Sequence, residues 1–552
     1  MIKHYEKTLS QFCLEASELY GDKPAFGLFQ EDKICEERKI TYKMMGTRSR
    51  QIALLLKQLG ILPGDRVMLL SENSPEWPLA YFGIAHAGAV IVPLLPAFSA
   101  DQVQHIANHA EVSAIILNRT MAAKIEGMSR TLPLIFLDSM TSDEITVCSE
   151  GSEKQIALPD PNGELPQRKP EDLAVIIYTS GTSGNSKGVM LSHKNLVANA
   201  ITSQETQMVY PGDRFISVLP LAHAYECTIG MLMPVMSGAN ITYLDRPPSA
   251  SILLPAAKKI KPTLMLTVPL FIEKIYRNAI KPKMQKSKLY HFFLTRPLVV
   301  WVAGRKLKKT LGGKIHFFGI GGAPLAPEVE KFLRSIRFPY AIGYGLTETA
   351  PLIAGSPPHT FSYRSTGKAS PGVELRIAPV DNVKEAGVGE IQARGPNVMM
   401  GYFRNEQQTR EAFTEDGWFR TGDLGRLDKK GMVYICGRIK ALILGPGGEN
   451  IYPEEIEGLL GSSNLIEEAL VYLSEKGELI ARVRLSDAAK EAAVAMEKMV
   501  EELRAWANKK LASFSRLSKI IIQEEPFEKT PTMKIKRYLY IPNSSPMLSG
   551  QQ

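Results

Sequence analysis

Short β-branched runs recur through the first three quarters of the chain, each separated from the next by a stretch of helical periodicity. They are RVMLL (Arg66–Leu70), AVIVPL (Ala89–Leu94), AIIL (Ala114–Leu117), LAVIIY (Leu173–Tyr178), NITYL (Asn240–Leu244), TLMLTV (Thr263–Val268) and KIHFFGI (Lys314–Ile320). Alternation of this kind predicts an α/β fold of layered subdomains with largely parallel strands. Near Asp423 the character changes, because GRLDKKGMVYICGR (Gly425–Arg438) reads as a hairpin around a Lys-Lys-Gly turn. The main boundary is therefore expected at Arg438–Lys440. This divides the chain into a large N-terminal domain, residues 1–437, and a small α+β C-terminal domain, residues 438–552.

The 552 residues, with 44% hydrophobic and 22% charged side chains, are enough for two or more cores. Five cysteines are scattered without a CxxC pair, which favours a reducing compartment and argues against a metal–thiolate site. The first residues mix acids and bases without an apolar core, so no signal peptide is expected and the chain reads as cytoplasmic. An uncharged run, Trp77–Phe98, is long enough for a membrane span, but its prolines and glycines predict a buried helix followed by a strand. Charge is uneven: between Lys274 and Pro327 there are twelve Lys or Arg and no Asp or Glu, against a net charge of +9 for the whole chain. That segment, interleaved with Tyr290, Phe292, Phe293 and Trp301, reads either as a solvated face or as a platform for anionic lipid, coenzyme A phosphates or an acidic carrier protein. No recognition-helix or single-strand-binding signature accompanies it, so nucleic acid is not an expected partner.

After the apolar run Ala174–Tyr178 comes TSGTSGNSKGV, the parts of a phosphate-gripping loop. Gly181, Gly184 and Gly188 would let backbone amides approach a polyphosphate. Thr179, Ser180, Thr182 and Ser183 add hydroxyls, and Lys187 adds charge. A Walker A loop is excluded, because Lys187 is followed by Gly188 rather than by Ser or Thr.

This loop resembles that of the adenylate-forming superfamily, which includes acyl-CoA synthetases, peptide-synthetase adenylation domains and luciferases. LPLAHAYE (Leu219–Glu226), GYGLTETAP (Gly343–Pro351), GWFRTGDLG (Gly417–Gly425), GRIKALILGPGGENIYPEEIE (Gly437–Glu457) and TPTMKIKR (Thr530–Arg537) follow in the family's order, so the likeness spans nearly the whole chain. It implies attack of a carboxylate on the α-phosphate of ATP and displacement of AMP by a thiol. The resemblance assigns the β/γ-phosphates to the loop residues Thr179–Gly184 and Lys187. It assigns the α-phosphate and Mg²⁺ to Thr347 and Glu348, with Thr182 a second metal candidate. Tyr344 and the backbone of Gly321 and Gly322 would frame the adenine, Asp423 and Arg438 would hold the ribose, and His223 with Tyr225 would gate the carboxylate. Lys534 would bridge carboxylate and α-phosphate during reaction. Met533 stands where many members have glycine, a variation common among long-chain acyl activators. Lys440 falls at the hinge position, where aspartate is common, so the C-terminal domain should be mobile. Gly447, Gly448 and Glu449 would line a thiol channel after it swings.

Within the superfamily the motifs look most like bacterial long-chain fatty acid ligases. The expected co-substrates are ATP with Mg²⁺, a fatty acid, and coenzyme A as acceptor. The phosphopantetheine of acyl carrier protein is the alternative acceptor, and residues 274–314 are a possible contact with an anionic membrane. More distant readings are a nucleotide- and fatty-acid-binding pseudoenzyme and a luciferase-like oxygenase.

Overall fold

The computed structural model describes residues 5–128, 132–149, 151–180, 186–291, 296–381, 383–444, 449–492, 496–530 and 534–541. Each apolar run named above contains a strand. A nine-stranded sheet has Leu173–Ser180, Val90–Leu94, Arg66–Leu70, Val112–Leu117 and Leu134–Phe136 as parallel neighbours at its centre. Antiparallel strands close both edges: Ser186–Ser192 and Gly401–Tyr402 on one side, Glu144–Ser149 and Ser152–Ala157 on the other. The central strands are apolar throughout because both of their faces are covered. Val67, Leu69 and Ile91 pack into one core, while the alternating Met68, Leu70, Val90 and Val92 pack into another.

A seven-stranded sheet stands beside it, in the order Tyr340–Ile342, Phe317–Ile320, Leu264–Thr267, Arg214–Ile216, Asn240–Leu244, Pro24–Gln30 and Lys33–Thr41. Only its last pair is antiparallel. The uncharged run forms the helix Glu76–His86, buried at every residue, and the strand Val90–Leu94. Its one carboxylate, Glu76, is neutralised by Arg38 at 2.6 Å. Among the described residues no helix is long and apolar enough to cross a membrane.

The expected hairpin is present. Strands Phe419–Leu427 and Val433–Arg438 are joined by a turn in which Asp428 Oδ1 accepts from the amides of Lys430 and Met432, and Gly431 takes φ +75°. They complete a four-stranded antiparallel sheet with Glu374–Ala378 and Gly389–Arg394. Beyond Arg438 the chain builds a separate three-stranded sheet, Ile466–Leu473, Leu479–Leu485 and Lys519–Ile522. Helices Pro453–Leu460 and Met496–Asn508 contribute Ile456, Leu460 and Leu503 to its own core with Val483 and Ile520.

The acid-free segment forms a helical excursion between the parallel strands Leu264–Thr267 and Phe317–Ile320. Its helix Arg296–Thr310 buries Gly304 and Leu307. Leu298, Trp301 and Val302 are each more than half exposed, and the Arg305 guanidinium lies 4.7 Å from the Trp301 ring centre.

Candidate active site

The described phosphate-loop candidates, Thr179, Ser180 and Lys187, flank the connection between two antiparallel strands. Thr179 and Ser180 end one strand, Lys187 opens its antiparallel partner, and the register sets Lys187 opposite Thr179. Gly181, Thr182, Ser183 and Gly184 lie outside the described residues. Gly188 differs from its expected part: a Cβ there would meet Ile176 at 2.8 Å and Phe403 at 3.3 Å. It is a glycine of close strand packing, inside the ladder rather than in the loop.

Thr347 and Glu348 form a short 3-10 turn after Tyr344–Gly345. The Tyr402 hydroxyl donates to Glu348 Oε1 at 3.0 Å, and the Lys187 ammonium lies 5.1 Å from the centre of the same Tyr402 ring. Sequence reasoning missed Tyr402; an aromatic after glycine in MMGYFRN was its only signal. Burial and the neighbouring Lys440 charge lower the Lys187 pKa, while Glu348 and Glu411 act against them.

Asp423 and Arg438 face each other across the hairpin, in register. Arg438 Nε reaches Asp423 Oδ1 at 2.6 Å, and the Tyr344 hydroxyl donates to Oδ2 at 2.7 Å. Burial pushes the Asp423 carboxyl upward, and Arg438, Tyr344 and Lys534 pull it down. Gly321 and Gly322 directly follow the core strand Phe317–Ile320 of the seven-stranded sheet. The Tyr225 ring covers Gly321 so closely that a Cβ there would stand 3.1 Å from it, and Gly322 takes φ +84°. His223, half-buried beside Tyr225, accepts the Tyr225 amide on Nδ1 at 3.2 Å, which places its proton on Nε2. Burial and the Lys534 charge lower its pKa to about 4, so the ring is neutral at physiological pH.

Lys534 enters from beyond Arg438. Its turn is pinned by its own amide to Thr530 Oγ1 at 3.2 Å and by the Thr530 amide to its carbonyl at 2.7 Å. Lys534 is solvent-exposed, and desolvation by the atoms around its ammonium, followed by the Arg438 charge, lowers its pKa against Asp423 and Glu348. Its neighbours in sequence are occupied otherwise: Lys529 pairs with Glu468, and Lys536 pairs with Glu528 at 3.0 Å. Among the described residues Lys534 makes no ion pair within 4 Å, although it lies in the field of two carboxylates. Lys440 sits in the turn Ile439–Ala441. Glu449 is half-buried before the strand Asn450–Ile451, and Gly447 and Gly448 lie outside the described residues.

The described part of the site thus gathers the cations Lys187, Arg438, Lys440 and Lys534 around the carboxylates Asp423 and Glu348. The family of AMP-binding enzymes matches residues 14–403. The long-chain-fatty-acid–CoA ligase FadD15 of Mycobacterium bovis is 32% identical over 468 residues, covering 78% of this chain and 75% of its own. The peroxisomal long chain acyl-CoA synthetase 7 of Arabidopsis thaliana is 30% identical over 512 residues, covering 84% and 71%. ATP-bound MatB from Rhodopseudomonas palustris superposes with a TM-score of 0.74 at 25% identity, over 97% of this chain and 98% of that one. The chain belongs to the AMP-binding enzyme family. It is an AMP-forming acid–thiol ligase that uses ATP.

Proposed function

We propose that the chain activates a long-chain fatty acid as its acyl-adenylate and passes the acyl group to coenzyme A. The observation that carries this reading is the delivery of Lys534, from a unit with its own core, into the field of Asp423, Glu348, Arg438 and His223. A fatty carboxylate is ionised at neutral pH, so no general base is required of the protein. Neutral His223 suits that task, because an N–H on Nε2 can donate to a carboxylate without adding a fixed charge. Lys534 would stabilise charge growing on the carboxylate and α-phosphate, and Lys187 with the loop hydroxyls would hold the distal phosphates. Asp423 and Arg438 would fix the ribose, while Tyr344 and the ridge Gly321–Gly322 would border the adenine.

Glu348 fits a Mg²⁺ ligand. Its Oε1 is held by Tyr402, and among the described residues no cationic side chain lies within 4 Å of it. With Thr182 it would hold the ion, which supplies neutralisation of phosphate charge. We divide the chain at residues 437 and 438, with a hinge at Lys440, since the hairpin ends at Arg438 and the second core starts at Ile451. The segment Gly447–Glu449 would line the thiol path after rotation. Long-chain acids and coenzyme A are supported by the likeness to the long-chain acyl-CoA synthetase and the long-chain-fatty-acid–CoA ligase above. Acyl carrier protein remains the second acceptor, supported by the acid-free basic segment. The exposed Leu298, Trp301 and Val302, flanked by Lys306, Lys308 and Lys309, support contact with an anionic membrane.

Lys534→Ala tests the core of this reading. Palmitate-dependent pyrophosphate exchange should fall about 100- to 1000-fold, while thioester formation from supplied palmitoyl-adenylate persists. Equal loss of both steps would remove Lys534 from the adenylation role. Mass spectrometry of products with coenzyme A and phosphopantetheinylated carrier protein in one tube decides the acceptor.

A further inference from the structure

Tyr402 touches both arms of the candidate site, and nothing in the motifs assigns it a task. Its ring lies beneath the Lys187 ammonium, 5.1 Å from centre to Nζ, and its hydroxyl donates to Glu348 Oε1 at 3.0 Å. Lys187 feels the Glu348 charge, yet no direct Lys187–Glu348 ion pair within 4 Å is seen among the described residues. Such a pair would be the default for opposite charges sharing a small cleft, and it would close the space a polyphosphate needs. Tyr402 instead gives each charge a separate partner: a π face for the ammonium and a hydroxyl for the carboxylate.

The backbone holds the tyrosine firmly enough for this. The strand Gly401–Tyr402 pairs with the strand that leaves the phosphate loop, with Tyr402 opposite Val189. The amides of Met400 and Phe403 donate to the carbonyls of Met190 and Gly188 at 2.9 and 2.8 Å. On the other side, the Met399 amide donates to the carbonyl of Glu348 at 2.8 Å, so the segment joins the loop strand directly to the carboxylate's own turn. The Tyr402 amide donates to Thr409 Oγ1 at 2.9 Å. A Cβ at Gly401, which takes φ +142°, would stand 2.6 Å from Thr409, so the tight approach depends on glycine immediately before Tyr402.

We propose that Tyr402 is a positioning residue that keeps the loop lysine and the metal carboxylate apart and aimed at the nucleotide. The proposal rests on Lys187 and Glu348 as ligands of nucleotide and cation. Two variants separate the contacts. Tyr402→Phe keeps the ring beneath Lys187 and deletes the hydroxyl; Tyr402→Leu deletes both.

Binding of a non-hydrolysable ATP analogue is measured by calorimetry without divalent cation, and Mn²⁺ binding to the protein–analogue complex is followed by electron paramagnetic resonance. Tyr402→Phe should leave cation-free nucleotide affinity and melting temperature unchanged and weaken Mn²⁺ binding about tenfold. Tyr402→Leu should weaken Mn²⁺ equally and also lower cation-free nucleotide affinity by about two- to fivefold. Wild-type Mn²⁺ affinity in Tyr402→Phe would overturn the proposal. So would loss of nucleotide, Mn²⁺ and thermal stability in parallel in both variants, the pattern of a merely structural tyrosine. Glu348→Gln distinguishes the two levels. If it binds Mn²⁺ normally, the reading of the site itself falls and Tyr402 with it; if it loses Mn²⁺ while Tyr402→Phe does not, only the role of Tyr402 falls.

Discussion

Glu226, the last residue of LPLAHAYE, is 1% exposed and opens a π-helix, Glu226–Leu232. Its Oε1 accepts the Ser217 hydroxyl at 2.5 Å, and among the described residues its Oε2 has no hydrogen-bond partner. Gly230 makes room for this carboxyl, since a Cβ there would stand 2.6 Å from Glu226 Cδ. Burial pushes its pKa from 4.5 up to about 8, against the Ser217 bond. Folded chains therefore hold a proton through the range from pH 4.5 to about 8 in which unfolded chains have lost it. A carboxyl raised in this way contributes stability that is fully present below pH 4.5 and drains away as pH rises through about 8. At about 1.4 kcal/mol per pH unit the loss approaches about 5 kcal/mol, an upper figure because water entry would relieve part of it. Glu226→Gln removes the titration while keeping shape and the Ser217 bond. Denaturant midpoints of wild type and variant should run with a fixed offset below pH 4.5. Between pH 5 and 8 they should separate progressively in favour of glutamine, then hold a constant gap. A gap of the same size at pH 5 and pH 9 would show that Glu226 ionises alike in both states and would refute the argument.

Asp423→Asn leaves Arg438 and Tyr344 without their carboxylate. ATP affinity by equilibrium dialysis should fall about 10- to 100-fold, and unchanged affinity would remove Asp423 from the ribose site. His193 is 1% exposed, accepts the Leu9 amide on Nδ1 at 3.2 Å, and is lowered by burial to about 4. A depressed histidine costs stability as pH falls from 6.5 toward 4, since unfolded chains take the proton first; the slope is about 1.4 kcal/mol per pH unit. His193→Asn should flatten the acid limb of the melting curve, and an identical limb would contradict the assignment. Trp301→Ala combined with glutamine at Lys306, Lys308 and Lys309 should abolish sedimentation with phosphatidylglycerol vesicles at low salt. Equal pelleting would return that helix to a plain solvated face.

Strands with both faces covered were legible because burial leaves them uniformly apolar, as Arg66–Leu70 and Leu173–Ser180 show. The Asp428 turn was legible because its hydrogen bonds are local. Edge strands such as Glu144–Ser149 and Ser152–Ala157 were not singled out, since their exposed residues blur the two-residue period. The pairing of Asp423 with Arg438 could be anticipated once the hairpin was drawn, because register across a short turn is fixed by the turn itself. Tyr402 could not. It meets Glu348 only because a two-residue strand joins the edge of the nine-stranded sheet, a contact between residues 54 positions apart in sequence. Glu226 was read only as part of a motif, since nothing local announces that Ser217 and the π-turn enclose its carboxyl.

The charges of the cleft carry a last consequence. Burial and then the Lys440 charge lower Lys187, and burial and then the Arg438 charge lower Lys534, so cations on the two sides of residue 438 repel one another, opposed by Glu348 and Glu411 at Lys187 and by Asp423 and Glu348 at Lys534. A bound polyphosphate would reverse the sign of that field, drawing Lys187, Lys440 and Lys534 inward and raising the pKa of Lys187 and Lys534. Departure of pyrophosphate would then restore the repulsion at the residue proposed as the hinge. Lysine at position 440 is thus more than a tolerated replacement for aspartate. An aspartate there would attract Lys187 in the empty site and oppose the phosphates in the filled one. Lys440→Asp should accordingly weaken ATP binding and lessen its dependence on salt, whereas tighter ATP binding in that variant would show that the hinge residue lies outside the phosphate field.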